Sequence, residues 1–291
     1  MLIRWTVTGI LTIAPVAALL LWFHRSDTNR EPWGKVFRTF LLGVLSVVPA
    51  ILVALPLLGA GIGSRSPLGF SFFLAFFVAA LPEESAKLLV IRGYSARLAS
   101  FDEPMDGLVY GAAAALGFAA FENILYVADG GISTALLRAV SAVPAHAVTG
   151  AMIGYAISSA MFVPCSRART WKGWFAAVVC HGLYDFGLFA ASVSDVSPGV
   201  FGPFDGFLLL TIGVVLLEMT WLRRTVRRLR SAQLIASAGG LTTQATSDPS
   251  MLSRLHRRDE ERIAARHSQP ESEEGRMAER RQEAERSGGD R

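Results

Sequence analysis

Cysteine is almost missing: Cys165 and Cys180 are the only two in 291 residues, too few for the disulfide framework of a secreted domain. They read as free thiols near a membrane. No HExxH and no GxSxG occurs, which removes the commonest zinc-hydrolase helix and the serine-hydrolase elbow. Charge is scarce as well. Charged residues make up 18% of the chain and the formal excess is +4, too small and too dispersed to make nucleic acid a partner. No internal repeat is visible, so a solenoid or a symmetric array is excluded.

What remains is apolar. Hydrophobic residues reach 52% and the mean hydropathy is +0.39, values that fit a membrane protein better than two soluble domains of this total length. The average hides a split. Of 28 basic and 24 acidic residues, 11 of each fall in residues 229–291, which leaves 17 and 13 for residues 1–228. The first part is expected to be an all-α transmembrane bundle; the second, with mixed charge and no long apolar run, a mostly disordered cytoplasmic tail. Within the tail, Ser231 to Ser250 has the Gly, Ser and Thr content of a linker.

Crossing the hydrocarbon core takes about 20 mostly apolar residues, and seven stretches qualify: 5–23, 37–60, 68–91, 107–128, 136–163, 173–193 and 206–222. Basic residues cluster in alternate connections. Arg25, Arg30, Lys35 and Arg38 follow the first span, Arg92 and Arg97 the third, Arg167, Arg169 and Lys172 the fifth, and Arg223, Arg224, Arg227 and Arg228 the seventh. The other side has Arg4, Arg65 and Arg138. Positive charge stays in the cytoplasm, so the N-terminus is expected outside and the tail inside. The basic cluster follows the first apolar run instead of preceding it, which favours a retained span over a signal peptide.

Ionisable groups within spans are costly and are functional candidates by default. Span three carries Glu83, Glu84 and Lys87, span four Glu122 and Asn123, span five His146, and span six His181 and Asp185. Glu83 and Lys87, four apart, share a helix face, so Glu84 is expected to have the freer carboxylate. His181 and Asp185 have the same spacing, with which a carboxylate orients an imidazole. Glu218, close to Arg223, reads instead as an interfacial snorkelling residue.

The ordered set Glu83-Glu84-x-x-Lys87, Phe118-x-x-x-Glu122-Asn123 and His181-x-x-x-Asp185, with Asp106-Gly107-Leu108-Val109-Tyr110-Gly111 among them, resembles the motif series of the PrsW family of intramembrane proteases, distant relatives of the CAAX-processing type II prenyl endopeptidases. The resemblance covers roughly residues 35–220. It implies a multi-pass protein of the bacterial inner membrane that cleaves membrane-anchored proteins such as anti-sigma factors. By comparison, Gly131-Ile132-Ser133-Thr134 is a poor rhomboid-type serine motif, and Asp185 has no intramembrane aspartate partner.

Peptide hydrolysis inside lipid needs a water, a base and a group that holds the oxyanion. Two arrangements of these residues supply them. In one, Glu122, His146 and His181 are three ligands of a divalent metal, zinc by donor type, with a fourth position for water and Glu84 or Glu83 as base. In the other a glutamate and a histidine hold the water directly, while His181 and Asn123 stabilise the oxyanion. Lys87 and Asp185 complete the candidate catalytic set. Two other classes use the same polar residues: a proton-coupled transporter and a non-catalytic membrane scaffold.

Overall fold

A computed structural model describes the backbone of residues 2–62, 66–162, 168–194 and 202–247. Among these the helices are α1 (Leu2–Ser26), α2 (Trp33–Leu45), α3 (Val47–Gly59), α4 (Pro67–Phe73), α5 (Leu81–Gly93), α6 (Pro104–Val140), α7 (Ala142–Phe162), α8 (Ala168–Ser192) and α9 (Pro203–Ser247). A π-helical segment, Leu74–Ala80, joins α4 to α5, and a short 3-10 turn follows α5. Only Ser46 separates α2 from α3, so the described residues, with both arms of α6 counted together, form seven helical units and contain no strand. The chain is an all-α, multi-pass membrane bundle. Windows in α1, in α2 with α3, and in α6, α8 and α9 are long and apolar enough to cross a membrane. The other two rods carry Glu83, Glu84, Lys87 and His146.

The outside of the bundle is apolar. Leu52, Leu89, Phe175, Leu216 and Leu217 are each more than 60% exposed, an arrangement suited to a solvent as apolar as the side chains themselves. The first half of α6 is the axis: every residue from Met105 to Ala120 is buried. Val16 and Phe23 of α1 and Val143, Ala147 and Val148 of α7 pack around its Leu108, Ala112 and Leu116. In lipid, close backbone approach substitutes for a hydrophobic driving force. Here it depends on two paired glycine repeats, Gly107 and Gly111 facing Gly154 and Gly150. A Cβ on Gly154 would lie 1.8 Å from the Gly107 carbonyl oxygen.

Three features depart from the sequence reading. The gap expected between residues 128 and 136 is helical: α6 continues to Val140, interrupted at Gly131 with φ 68° and ψ −153°. A straight helix would separate residues 123 and 138 by about 22 Å, yet Arg138 Nε lies 2.7 Å from Asn123 Oδ1, so the chain doubles back at Gly131, whose missing Cβ permits this backbone. The linker expected from Ser231 is helical up to Ser247, as a continuation of α9. Glu218, expected at an interface, is 1% exposed. Cys180 is a free thiol, while Cys165 and residues 248–291 lie outside the described residues.

Candidate active site

The site begins with a helix that changes pitch. Pro82 lacks an N–H and its ring crowds the preceding turn; the π-helical turns end two residues before it, at Ala80, and α-helical winding resumes at Leu81. Such wide turns recur at functional sites. Opposite them on α8, Gly182 leaves room for Phe76, whose ring carbon would be 2.4 Å from any Cβ there. The helix that resumes presents Glu83, Glu84 and Lys87 to α7 and α8.

Glu84 is the hub. Its Oε1 accepts hydrogen bonds from Lys87 Nζ at 2.6 Å, His181 Nδ1 at 2.7 Å and Thr149 Oγ1 at 3.2 Å, while its Oε2 is buried without a partner. Neither Glu84 nor Lys87 is exposed at all. This reverses the expected order. The i,i+3 neighbour takes the ammonium at short range, and Glu83, at i,i+4, stands 3.8 Å from it. Lys87 also donates to His146 Nδ1 at 2.8 Å and lies 4.7 Å from the centre of the Phe118 ring, a favourable place for a cation.

Because Nδ1 of His146 accepts from lysine, its proton belongs on Nε2, which donates to Glu122 Oε2 at 2.7 Å. Arg138 holds the same carboxylate oxygen from Nη2 at 2.9 Å while Nε donates to Asn123. Asn123 spends its own amide on the Thr12 carbonyl, at 3.1 Å; its hydrogen bonds do not reach Glu83, Glu84 or the histidines. Asp185 Oδ2 lies 3.3 Å from His181 Nε2, and Glu83 Oε2 is 3.9 Å from the same nitrogen. The two imidazoles meet edge to face with centroids 5.0 Å apart. Glu83, Glu84, Lys87, Glu122, His146, His181 and Asp185 therefore form one connected network drawn from α5, α6, α7 and α8.

The donor set suits a metal ion. One ligand atom each from Glu83, His146 and His181 falls within 4.8 Å of the other two, so Glu83 occupies the place in the compact triad that the sequence suggests for Glu122. Glu83 Oε2 is buried and has no hydrogen-bond partner. Four carboxylates meet only two permanent cations, Lys87 and Arg138, in this network. A His₂Glu set with an excess of negative charge fits a zinc-like ion once Lys87 leaves His146 Nδ1, the ring nitrogen not bonded to Glu122, and His181 Nδ1 on Glu84 supplies the carboxylate support that metal-bound histidines normally have.

Sequence reasoning misses two participants, Arg138 and Thr149, and one buried neighbour, Glu218. Arg138 reads as a loop charge, because only the reversal at Gly131 brings it back to Glu122. Thr149 is one more small polar residue in a helix full of them. Glu218 of α9 lies near enough to His181, Glu84 and Lys87 to feel their charges, yet both its carboxylate oxygens lack a hydrogen-bond partner among the described residues.

Residues 31–237 match the PrsW family of intramembrane metalloproteases. The chain is 39% identical over 180 residues to Protease PrsW of Geobacillus kaustophilus, covering 61% of this chain and 78% of that protein. It is 38% identical to Protease PrsW of Bacillus subtilis (62% and 82% covered) and 30% identical to that of Clostridioides difficile (61% and 77%). No solved structure matches. With the family match spanning well over half its length, the chain belongs to the PrsW family of intramembrane proteases.

Proposed function

We propose that this peptidase hydrolyses membrane-anchored proteins, anti-sigma factors among the candidates, at the network centred on Glu84. The observation that carries the reading is the Glu84 carboxylate itself: three donors fix Oε1 and leave Oε2 buried without a hydrogen-bond partner. A base locked in this way is ready to take a proton from an attacking water. Glu83, His146 and His181 would hold a divalent metal, zinc by donor type, with Lys87 withdrawn from His146 Nδ1 and no proton on His181 Nε2; when bound it would lower the pKa of its water and polarise the scissile carbonyl.

The chain's own residues do the rest. Lys87 holds Glu84 in place and supplies positive charge near the developing oxyanion. Asp185 orients His181. Arg138 and Glu122 fix the tautomer and direction of His146, and Asn123 acts through Arg138 as a positioning residue. All of these precede residue 228, so residues 1–228 would carry the protease chemistry and residues 229–291 none of it. The bacterial relatives support a bacterial cell-membrane location, and the alternating basic loops an N-terminus outside and a C-terminus in the cytoplasm.

The test is co-expression with single-span membrane substrates followed by assay in detergent. Glu84→Gln keeps size and polarity but cannot take a proton, and cleavage should fall by roughly 10²- to 10⁴-fold; His181→Ala should behave alike. Asp185→Asn should cost only about 10- to 100-fold. Chelation should abolish cleavage and zinc restore it. Full activity in inserted Glu84→Gln would remove the carboxylate from the reaction, and chelator-resistant cleavage would leave the metal-free arrangement.

A further inference from the structure

A second group of carboxylates lies far from the catalytic network. Asp106 stands at the start of α6, sixteen residues or about 24 Å along the helix from Glu122. It meets Asp27 and Glu31, from the connection between α1 and α2. One oxygen from each lies within 4.8 Å of the other two, and Asp106, Asp27 and Glu31 are 0%, 1% and 4% exposed respectively. Each acid is anchored by neutral donors. Asp106 Oδ2 accepts from the backbone N–H groups of Asp102 at 2.7 Å and Glu103 at 2.8 Å. Asp27 Oδ1 accepts from Asn29 N at 2.9 Å and Gln233 Nε2 at 2.7 Å. Glu31 Oε2 accepts from the Tyr110 hydroxyl.

The anchors use one oxygen of each aspartate and leave the other. Asp27 Oδ2 and Asp106 Oδ1 are buried and have no hydrogen-bond partner. Among the described residues no lysine or arginine is in ion-pair distance of any of the three acids; the one imidazole at the cluster, His24, is bonded to the Glu31 backbone carbonyl at 2.8 Å. Arg30 and His24 lie near enough to Asp27 to act on its charge, but among the described residues neither forms an ion pair with the three acids, so the cluster keeps an excess of negative charge that a bound cation or a proton would offset.

We propose that Asp27, Glu31 and Asp106 form a second cation site, separate from the catalytic centre, for a hard divalent cation of the calcium and magnesium class. Three oxygens at about 2.4 Å from one ion can be at most about 4.8 Å apart, which the cluster satisfies. With no nitrogen or sulfur among the donors, the set disfavours zinc. Near-complete burial leaves little room for the waters that magnesium retains, which favours calcium. Bound there, the ion ties the connection between α1 and α2 to the first turn of α6. Gln233, which bridges Asp27 and Glu103 through Nε2, adds α9 to the same junction.

The test uses the full-length chain, purified in detergent and stripped with chelator, in equilibrium dialysis with calcium and in thermal melting with calcium or magnesium added. One calcium per chain should bind at concentrations up to about a millimolar and raise the melting temperature. Binding and shift should vanish in Asp27→Asn and in Glu31→Gln, whose amide oxygen still accepts from Tyr110, and persist in His146→Ala, which lacks a catalytic ligand. These readouts do not depend on cleavage. If neither acid variant folds, calcium binding by His146→Ala still decides the matter. A folded parent that binds neither ion at about 10 mM, or that is stabilised by acid but not by calcium, would overturn the proposal, as would undiminished binding by folded Asp27→Asn.

Discussion

Lys87 Nζ lies 2.6 Å from Glu84 Oε1, and neither residue has any exposed surface. Removing one partner of such a pair strands the other charge in a medium that cannot solvate it, at a cost of about 3–5 kcal/mol. Lys87→Met should therefore lower the melting temperature strongly and abolish cleavage. The double variant Lys87→Met/Glu84→Leu should recover most of the stability and none of the activity. Thermal melting of the purified proteins separates the two effects, and a double variant no more stable than Lys87→Met would show that the pair is not what the charge cost measures.

Arg138 holds Glu122 with one nitrogen and Asn123 with another, and only a planar fork reaches both at once. Arg138→Met should reduce cleavage by about 10- to 100-fold, the usual cost of a lost outer partner at such sites. Arg138→Lys should recover only part of it. Kinetics on a detergent-solubilised substrate check this; wild-type turnover in Arg138→Met would make the arginine a structural clasp for the reversal at Gly131.

That reversal also marks where sequence reading stops. The rods are legible because a span announces itself by apolar length, and the stretches expected at 5–23 and 206–222 lie within α1 and α9, with that at 173–193 ending one residue beyond α8. The polar residues of the site are legible because each is expensive in lipid, whatever its partner. Partners are another matter. Helical periodicity allows Lys87 to meet either Glu83 or Glu84, and the choice is made by His146 and His181 on other helices. Arg138 reaches Glu122 through one glycine with positive φ, and the acids at residues 27, 31 and 106 come together from two distant parts of the sequence. Glu218 looks interfacial because Arg223 is near it in sequence, whereas α9 turns that face inward.

Close approach of α6 and α7 predicts an intolerance that hydropathy would not suggest. A Cβ on Gly154 would stand 1.8 Å from the Gly107 carbonyl oxygen, and backbone cannot step aside as a side chain does. Gly154→Val should destabilise by about 1–3 kcal/mol or more, the range for overpacking, and reduce the monodisperse yield in detergent. A Cβ placed on Gly213 of α9 would meet nothing within 4 Å, so Gly213→Ala should be neutral or stabilise by about 0.5–1 kcal/mol. Equal effects from the two substitutions would contradict the glycine contact.

Glu218 is the carboxylate that the catalytic network does not use. It is 1% exposed with both oxygens unpartnered, and an unsatisfied buried polar group costs about 1–3 kcal/mol. Leucine has a similar volume and none of that cost. Glu218→Leu should therefore raise the melting temperature while cleavage continues, and Glu218→Gln, which keeps the polar cost, should not gain stability. The pair of variants is diagnostic because a role in the reaction would reverse the pattern. If Glu218 exchanged protons with the His181 and Glu84 network, both substitutions would slow cleavage whatever they did to stability, and the measured rate of a stabilised Glu218→Leu protein decides between the two.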